Sequence, residues 1–266
     1  MPVISKPMLD EFDANGVIVL HNTVEPGVLD AVVKEYDATL PKLVDIEIPK
    51  HVPIVVFWTH VVGGRKKLKL LSEMPHMEAF TKRIAAIVKE MIGRQELRLL
   101  ETIIFNKPPA DSNVLRWHQD VSYFPFEPNN QIAAWLPFDV VTRESGALLY
   151  AIGTHKMDLR ASTDLHSGEV FKNENRRPNP DDPEAEGIPV KCMETRPGDT
   201  IIHDGRTWHM SGRNTVANRQ RRGLSLRFLI GDTYYQPRAG SAAAFIKQID
   251  ITPGQRIDDP AFPVMA

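Results

Sequence analysis

The sequence holds a single cysteine, Cys192, in 266 residues. That excludes an internal disulfide framework and any zinc site built from several thiolates. It also lacks an excess of either charge: 32 Lys and Arg stand against 34 Asp and Glu, a net charge of -2. A nucleic-acid or anionic-membrane partner is therefore not expected, since both select for a basic surface. No apolar run approaches the roughly 20 residues that a membrane span needs. The opening Met1-Pro2-Val3-Ile4-Ser5-Lys6 has no signal-type apolar stretch, so the expectation is a soluble, cytoplasmic protein. Repeats of solenoid length are missing too. What remains is ordinary globular composition, 42% hydrophobic and 25% charged, at a length that all-β barrels and sandwiches reach as single domains.

Residues 1 to about 95 read as mixed and partly helical. Val17-Ile18-Val19-Leu20 is a short apolar strand, and after the turn at Glu25-Pro26-Gly27, Val28, Leu29, Val32, Val33 and Tyr36 recur at helical spacing. A stronger helix lies within 72–93: Pro75 near its start, then Met77, Phe80, Ile84, Ile87, Val88 and Met91, with Gly93 as the stop. The intervening Ile48-Pro49-Lys50-His51-Val52-Pro53, followed by Phe57, Trp58 and His60, has no period that assigns it. From about 98 to 232 the pattern changes to short strands separated by turn signals, which indicates a sandwich or barrel. The strands expected are 99–105, 114–118, 132–136, 147–152, 189–193, 200–203 and 223–230. A polar, proline-rich excursion at 172–183 is expected to run over the surface and to cover a site. The tail after about 240 reads as irregular.

Chemistry enters with Trp117-His118-Gln119-Asp120. On a strand, residues two apart share a face, so His118 and Asp120 can offer an imidazole and a carboxylate to one ion. The rival His76 and Glu78 sit in the helix, where that spacing diverges. A second histidine from elsewhere would complete the two-His, one-carboxylate face of non-haem Fe(II), which leaves coordination positions open. His203 and His209 both qualify, and spacing does not choose between them. A carboxylate co-substrate would further need a cation, and Arg219-Gln220-Arg221-Arg222 precedes a strand that can point one arginine inward.

At these residues the chain resembles the phytanoyl-CoA dioxygenase family of Fe(II)- and 2-oxoglutarate-dependent oxygenases. The matching blocks begin with Thr102-Ile103-Ile104-Phe105-Asn106-Lys107-Pro108-Pro109 and His118-Gln119-Asp120-Val121-Ser122-Tyr123-Phe124-Pro125-Phe126. Trp135, Glu144-Ser145-Gly146-Ala147-Leu148, Gly153-Thr154-His155-Lys156, Gly198-Asp199 and His209-Met210-Ser211-Gly212-Arg213-Asn214 follow in order. They cover roughly residues 98–230, with a looser match over 12–20.

The resemblance implies a mainly β fold, a double-stranded β-helix or jelly roll with flanking N-terminal helices, as one domain over 1–266 with its core at about 98–232. It implies Fe(II) on His118, Asp120 and His209, the His-x-Ser-Gly-x-Asn block selecting His209. It puts the 2-oxoglutarate arginine at Arg221, with Arg219 as the alternative if the register shifts by one extra residue. Trp135 and Ser211 match positions that border the co-substrate, and Ile103 one that contributes by backbone or packing. The family's upstream lysine contact has no aligned counterpart; Lys66 and Lys67 lie nearest. The implied cofactors are Fe(II), 2-oxoglutarate and O2, and the implied products include succinate and CO2. Asp120 fills the position that related halogenases leave open, so hydroxylation of a small organic metabolite is expected. An acyl-CoA substrate is the alternative and would need a basic groove, for which Arg65-Lys66-Lys67-Leu68-Lys69 is the obvious run. A cupin-like metal enzyme without 2-oxoglutarate and a non-catalytic binding protein are the other classes compatible with the scaffold. The expected assembly is a monomer or weak homo-oligomer.

Overall fold

The computed structural model describes residues 4–44, 49–59, 67–93, 95–238 and 249–265. The helical period in the N-terminal part becomes α2 (Pro26–Thr39) and α3 (Pro75–Met91), each opened by a proline in its first turn, where a missing N–H costs nothing. All six apolar residues that set the period of α3 are buried. A further helix, α1 (Lys6–Asn15), escaped the sequence reading because none of its residues is fully buried. It ends at Gly16, whose φ of 74° suits glycine, and a Cβ there would lie 2.4 Å from the Thr207 hydroxyl.

Thirteen strands are present among the described residues. Those of the large sheet are β1 (Val17–Leu20), β2 (Ile54–Thr59), β3 (Lys67–Leu70), β4 (Leu97–Lys107), β7 (Gln131–Pro137), β10 (Thr200–Asp204) and β12 (Arg221–Ile230), in the order β1-β10-β7-β12-β4-β2-β3. The small sheet holds β5 (Leu115–His118), β8 (Leu148–Ala151), β9 (Val190–Met193) and β11 (His209–Ser211), in the order β5-β11-β8-β9. Two-residue strands β6 (Phe126–Glu127) and β13 (Tyr234–Tyr235) pair separately. Trp135 and Ile201 of the large sheet pack against Leu148 and Tyr150 of the small one, so the two sheets enclose a common core. This is the jelly roll the sequence led us to expect.

The unassigned N-terminal stretch turns out to be sheet. β2 pairs in parallel with β4, and β3 forms the edge beyond it. Alternation along β2 resolves the two roles open to its apolar residues: Val55 and Phe57 join the helix-covered core, while Val56 and Trp58 face the interior of the barrel. His60, Arg65 and Lys66 lie outside the described residues. Along β12 the same alternation turns Leu224 and Leu226 toward α2 and α3, leaving Arg221, Ser225 and Arg227 pointing between the sheets. Among the described residues, no helix is long and apolar enough to cross a membrane.

Gly223, in the middle of that interior-facing row, marks a close approach. A Cβ built on it would fall 2.1 Å from Cζ2 of the buried Trp135 indole. Gly223→Ala is therefore expected to lower stability by ~1–3 kcal/mol, the usual cost of overpacking. Urea unfolding, with tryptophan emission as the probe, checks both the loss and the displacement of the ring.

Candidate active site

Three ligand atoms, one each from His118, Asp120 and His209, lie within 4.8 Å of one another, and all three residues are buried. Register brings the histidines together: β11 runs antiparallel to β5 with His209 directly opposite His118. Asp120 arrives differently from the strand reading. β5 ends at His118, and Asp120 opens a 3-10 turn (Asp120–Tyr123). Gln119 keeps an extended backbone, φ -114° and ψ 133°, so the two-residue alternation survives the end of the strand and the carboxylate still faces the imidazoles. Asp120 Oδ1 is 3.9 Å from His118 Nε2 and 3.8 Å from His209 Nε2. Two atoms each ~2.1 Å from one ion stand at most ~4.2 Å apart, and both separations fall within that limit, so one ion could contact all three groups.

The hydrogen bonds set the protonation states. His118 Nδ1 lies 2.7 Å from the Arg116 carbonyl and His209 Nδ1 lies 3.0 Å from the Thr207 carbonyl. A carbonyl only accepts, so each Nδ1 carries the proton and each Nε2 presents its lone pair. Burial, the largest influence, lowers the pKa of both imidazoles and keeps them neutral. Burial opposes the charge of Asp120, but Arg227, with His209 and His203 beside it, holds that carboxyl well below the usual carboxylate range. Neutral imidazoles and an ionised carboxylate are the forms a metal requires.

His203 and His209, which spacing left equivalent, differ in what their second nitrogen meets. His203 Nε2 lies 3.2 Å from Asp120 Oδ2, and its Nδ1 lies 3.0 Å from the Tyr150 hydroxyl. A carboxylate accepts only, so Nε2–H donates to Asp120 and Nδ1 accepts from Tyr150. Both nitrogens of His203 are then used, and its role is to orient Asp120. Arg227 joins it, its Nε 2.8 Å from the same oxygen, while its Nη1 donates to Glu101 at 3.0 Å. Thus Oδ2 faces protein donors while Oδ1 faces the imidazoles. Sequence reasoning missed Arg227, although it lies six residues beyond Arg221 and hence on the same strand face.

Beside the triad lies a cavity of about 50 Å³ bordered by Trp135, Ser211 and Arg221. One Arg221 nitrogen donates to the Ser211 hydroxyl at 2.6 Å and to the Gly146 carbonyl at 2.8 Å. Its buried Nε has no hydrogen-bond partner among the described residues, and the guanidinium carbon sits 5.5 Å from the Trp135 ring centre. Arg222 points the other way, onto Asp139 and Asp37, and Arg219 is exposed. Lys107, also missed, is the direct cross-strand partner of Arg221 and lines the same cavity. Burial, then the neighbouring Arg221, lowers its pKa to about 7; burial lowers that of Arg221 to about 10. Lys67 borders neither this cavity nor the one next to it.

That next cavity, about 180 Å³, shares His118 and Arg227 with the first and is walled mainly by apolar side chains. Ile103 belongs here, beside Val56 and Trp58, rather than near Arg221. The excursion at 172–183 does not line either cavity; the covering residues are Thr163 to His166 and Phe171, just upstream of it. Its own contacts explain this: Arg177 is tied through its carbonyl to Ala161, and Asp181 to Arg116, on the outer surface.

These contacts give the two histidines different expected phenotypes. His209→Ala should abolish Fe(II) binding, as should His118→Ala and Asp120→Ala. His203→Ala should keep the ion with ~10–100-fold weaker affinity, the range for residues that orient a ligand. Anaerobic Fe(II) titration separates them; iron retained by His209→Ala and lost by His203→Ala would exchange the two assignments.

The donor set and the cationic cavity fit iron and a dicarboxylate, and the comparisons agree. A family model described as Phytanoyl-CoA dioxygenase (PhyH) matches residues 12–223. A Caenorhabditis elegans protein described as "Probable phytanoyl-CoA dioxygenase" is 32% identical over 138 residues, covering 49% of this chain and 43% of that protein. The human "Phytanoyl-CoA dioxygenase, peroxisomal" is 29% identical over 153 residues, covering 56% of this chain and 44% of that protein. The chain thus spans less than half the length of these two relatives. Among solved structures, the epimerase SnoN in complex with Fe3+, alpha ketoglutarate and nogalamycin RO matches with a TM-score of 0.70 at 17% identity, covering 98% of both chains. At that identity the likeness is one of fold. With most of its length matched by the family model, the chain belongs to the phytanoyl-CoA dioxygenase family, whose cofactors are Fe(II), 2-oxoglutarate and O2.

Proposed function

We propose that this protein is an Fe(II)- and 2-oxoglutarate-dependent dioxygenase that hydroxylates a small organic substrate. The observation that carries the reading is the division of Asp120: one oxygen turned to two neutral imidazoles, the other tied to Arg227 and His203. His118 and His209 would hold the metal through Nε2, and Asp120 through Oδ1. When bound, iron supplies the redox chemistry by which O2 gives one oxygen atom to 2-oxoglutarate, yielding succinate and CO2, and the other to a substrate C–H bond. Arg221 and Lys107 neutralise the distal carboxylate of the co-substrate, Ser211 fixes the guanidinium, and Trp135 supports it from below. The apolar cavity excludes water from the reacting carbon. We read the whole chain as one such domain, because β1, β2 and β3 complete the large sheet. Hydroxylation is the simplest outcome; the SnoN comparison supports keeping epimerisation as the second, since that epimerase shares the fold. The lone Cys192 and a ferrous site suit a reducing compartment, and the cytoplasm is our assignment.

Removing the guanidinium strips the co-substrate of a desolvated charge pair, a loss of ~2–5 kcal/mol. Arg221→Ala is expected to raise the 2-oxoglutarate Michaelis constant by at least ~30-fold, with Fe(II) affinity nearly unchanged. Arg219→Ala and Arg222→Ala should bind 2-oxoglutarate like the parent. An effect confined to Arg219 would shift the register after His209, and no effect in any variant would favour a metal enzyme that does not use 2-oxoglutarate.

Lys107 adds a pH signature. Its pKa is lowered in the folded protein to about 7, so between that value and its ordinary one near ~10.4 the unfolded chain binds more protons. Stability from this group therefore rises with pH across that window, and burying it charged is costly below it. A carboxylate arriving beside it restores the charge. At pH 8, 2-oxoglutarate binding to the Fe(II) protein should take up close to one proton, and Lys107→Met should abolish the uptake. Calorimetry in buffers of different ionisation enthalpy measures it directly.

A further inference from the structure

The larger cavity carries information about the substrate that the metal ligands do not. Val56, Phe105, Tyr123, Phe124, Leu165 and Phe171 give it an apolar wall, and its volume is about 180 Å³. An apolar cavity of roughly 150 Å³ holds benzene, so the space beside the metal position takes a ring-sized or branched hydrocarbon group.

The charges in the wall are unequal. The one cation among the described wall residues is Arg227, already held by Asp120 at 2.8 Å and Glu101 at 3.0 Å. Opposite in sign stands Asp164. Its Oδ1 accepts from the backbone N–H of Ser167 at 2.7 Å and of His166 at 3.0 Å. These bonds, that from Ser167 foremost, hold the carboxyl below its usual range against a smaller effect of burial. Among the described residues, no lysine or arginine pairs with Asp164. A carboxylate or phosphate ester entering here would meet Asp164 and Glu101 with no unspent cation in the wall. An ammonium would meet a fixed, ionised acceptor.

Building on the dioxygenase reading, we propose that the substrate is a compact apolar amine whose hydrocarbon body fills this cavity and whose ammonium faces Asp164. The assignment runs against an acyl-CoA, the substrate class in the relatives' names, because its polyanionic head has no counterpart among the described residues of this wall.

Three probes matched in shape separate the possibilities: cyclohexylmethylamine, cyclohexylmethanol and cyclohexanecarboxylate, with an acyl-CoA as the fourth. Each is titrated calorimetrically, under nitrogen, into protein loaded with Fe(II) and 2-oxoglutarate. The amine should bind about 10-fold more tightly than the alcohol, the scale of a charge-assisted hydrogen bond, and the carboxylate more weakly than either. Asp164→Asn should remove the amine's advantage and leave the alcohol unchanged. Tightest binding by the carboxylate or the acyl-CoA overturns the proposal, and so does an amine preference that survives Asp164→Asn. If the protein took up neither Fe(II) nor 2-oxoglutarate, the dioxygenase reading would fall. The same titrations on metal-free protein would still decide the charge preference of the cavity.

Discussion

A carboxylate buried to 3% exposure is the constraint around which the site is arranged. Taking one ionised group out of water costs several kcal/mol unless charge and hydrogen bonds replace the lost hydration. Asp120 receives both on a single oxygen, an ion pair from Arg227 and a hydrogen bond from His203. Arg227 belongs to β12 and His203 to β10, both in the large sheet, while Asp120 follows β5 in the small one. The Tyr150 hydroxyl that orients His203 comes from β8, again in the small sheet. The charge network therefore ties the two sheets together at the point where chemistry would occur. Without Arg227 the carboxyl would lose the main charge that opposes its burial and shift toward its protonated form, and the candidate metal site would lose its one anion among the described residues.

Much of this was legible in local pattern, and the failures have physical causes. The apolar period of α3 could be read because every residue that sets it is buried against the sheet. β11 could not: three residues are too few to show alternation, and its position comes from pairing with β5 and β8, distant in sequence. The β2 region resisted assignment for another reason: Val55 and Phe57 pack on one side and Val56 and Trp58 on the other, so no apolar–polar alternation marks the strand. The choice between His203 and His209 depended on whether each Nδ1 meets a hydroxyl or a carbonyl. That distinction belongs to the tertiary structure, and only the family block anticipated it. Arg227 was within reach of sequence reasoning, because alternation from Arg221 turns it inward. Lys107 was within reach too, inside a quoted motif, but its meaning required knowing that it faces Arg221 across the sheet.

That pair shows how the two ends of the site are specialised. Like charges directly opposite on adjacent strands destabilise a sheet, and burial makes the repulsion worse. The protein tolerates Lys107 against Arg221 because one of the two can shed its proton, as the pKa of about 7 for Lys107 implies. Above that pH the pair carries one charge rather than two, and on the dioxygenase reading a dicarboxylate entering the cavity would restore the lysine's proton and meet both groups. The neighbouring cavity is arranged in the opposite sense. There the lone cation is compensated twice over, and a carboxylate held by backbone N–H groups remains. The two cavities share Trp58, Phe105, Leu115, His118, His166 and Arg227, so on the proposed reading a place that favours an anion and one that disfavours it would adjoin within one space. That arrangement would direct a co-substrate with two carboxylates to one end and leave the other for a molecule of different charge, as proposed.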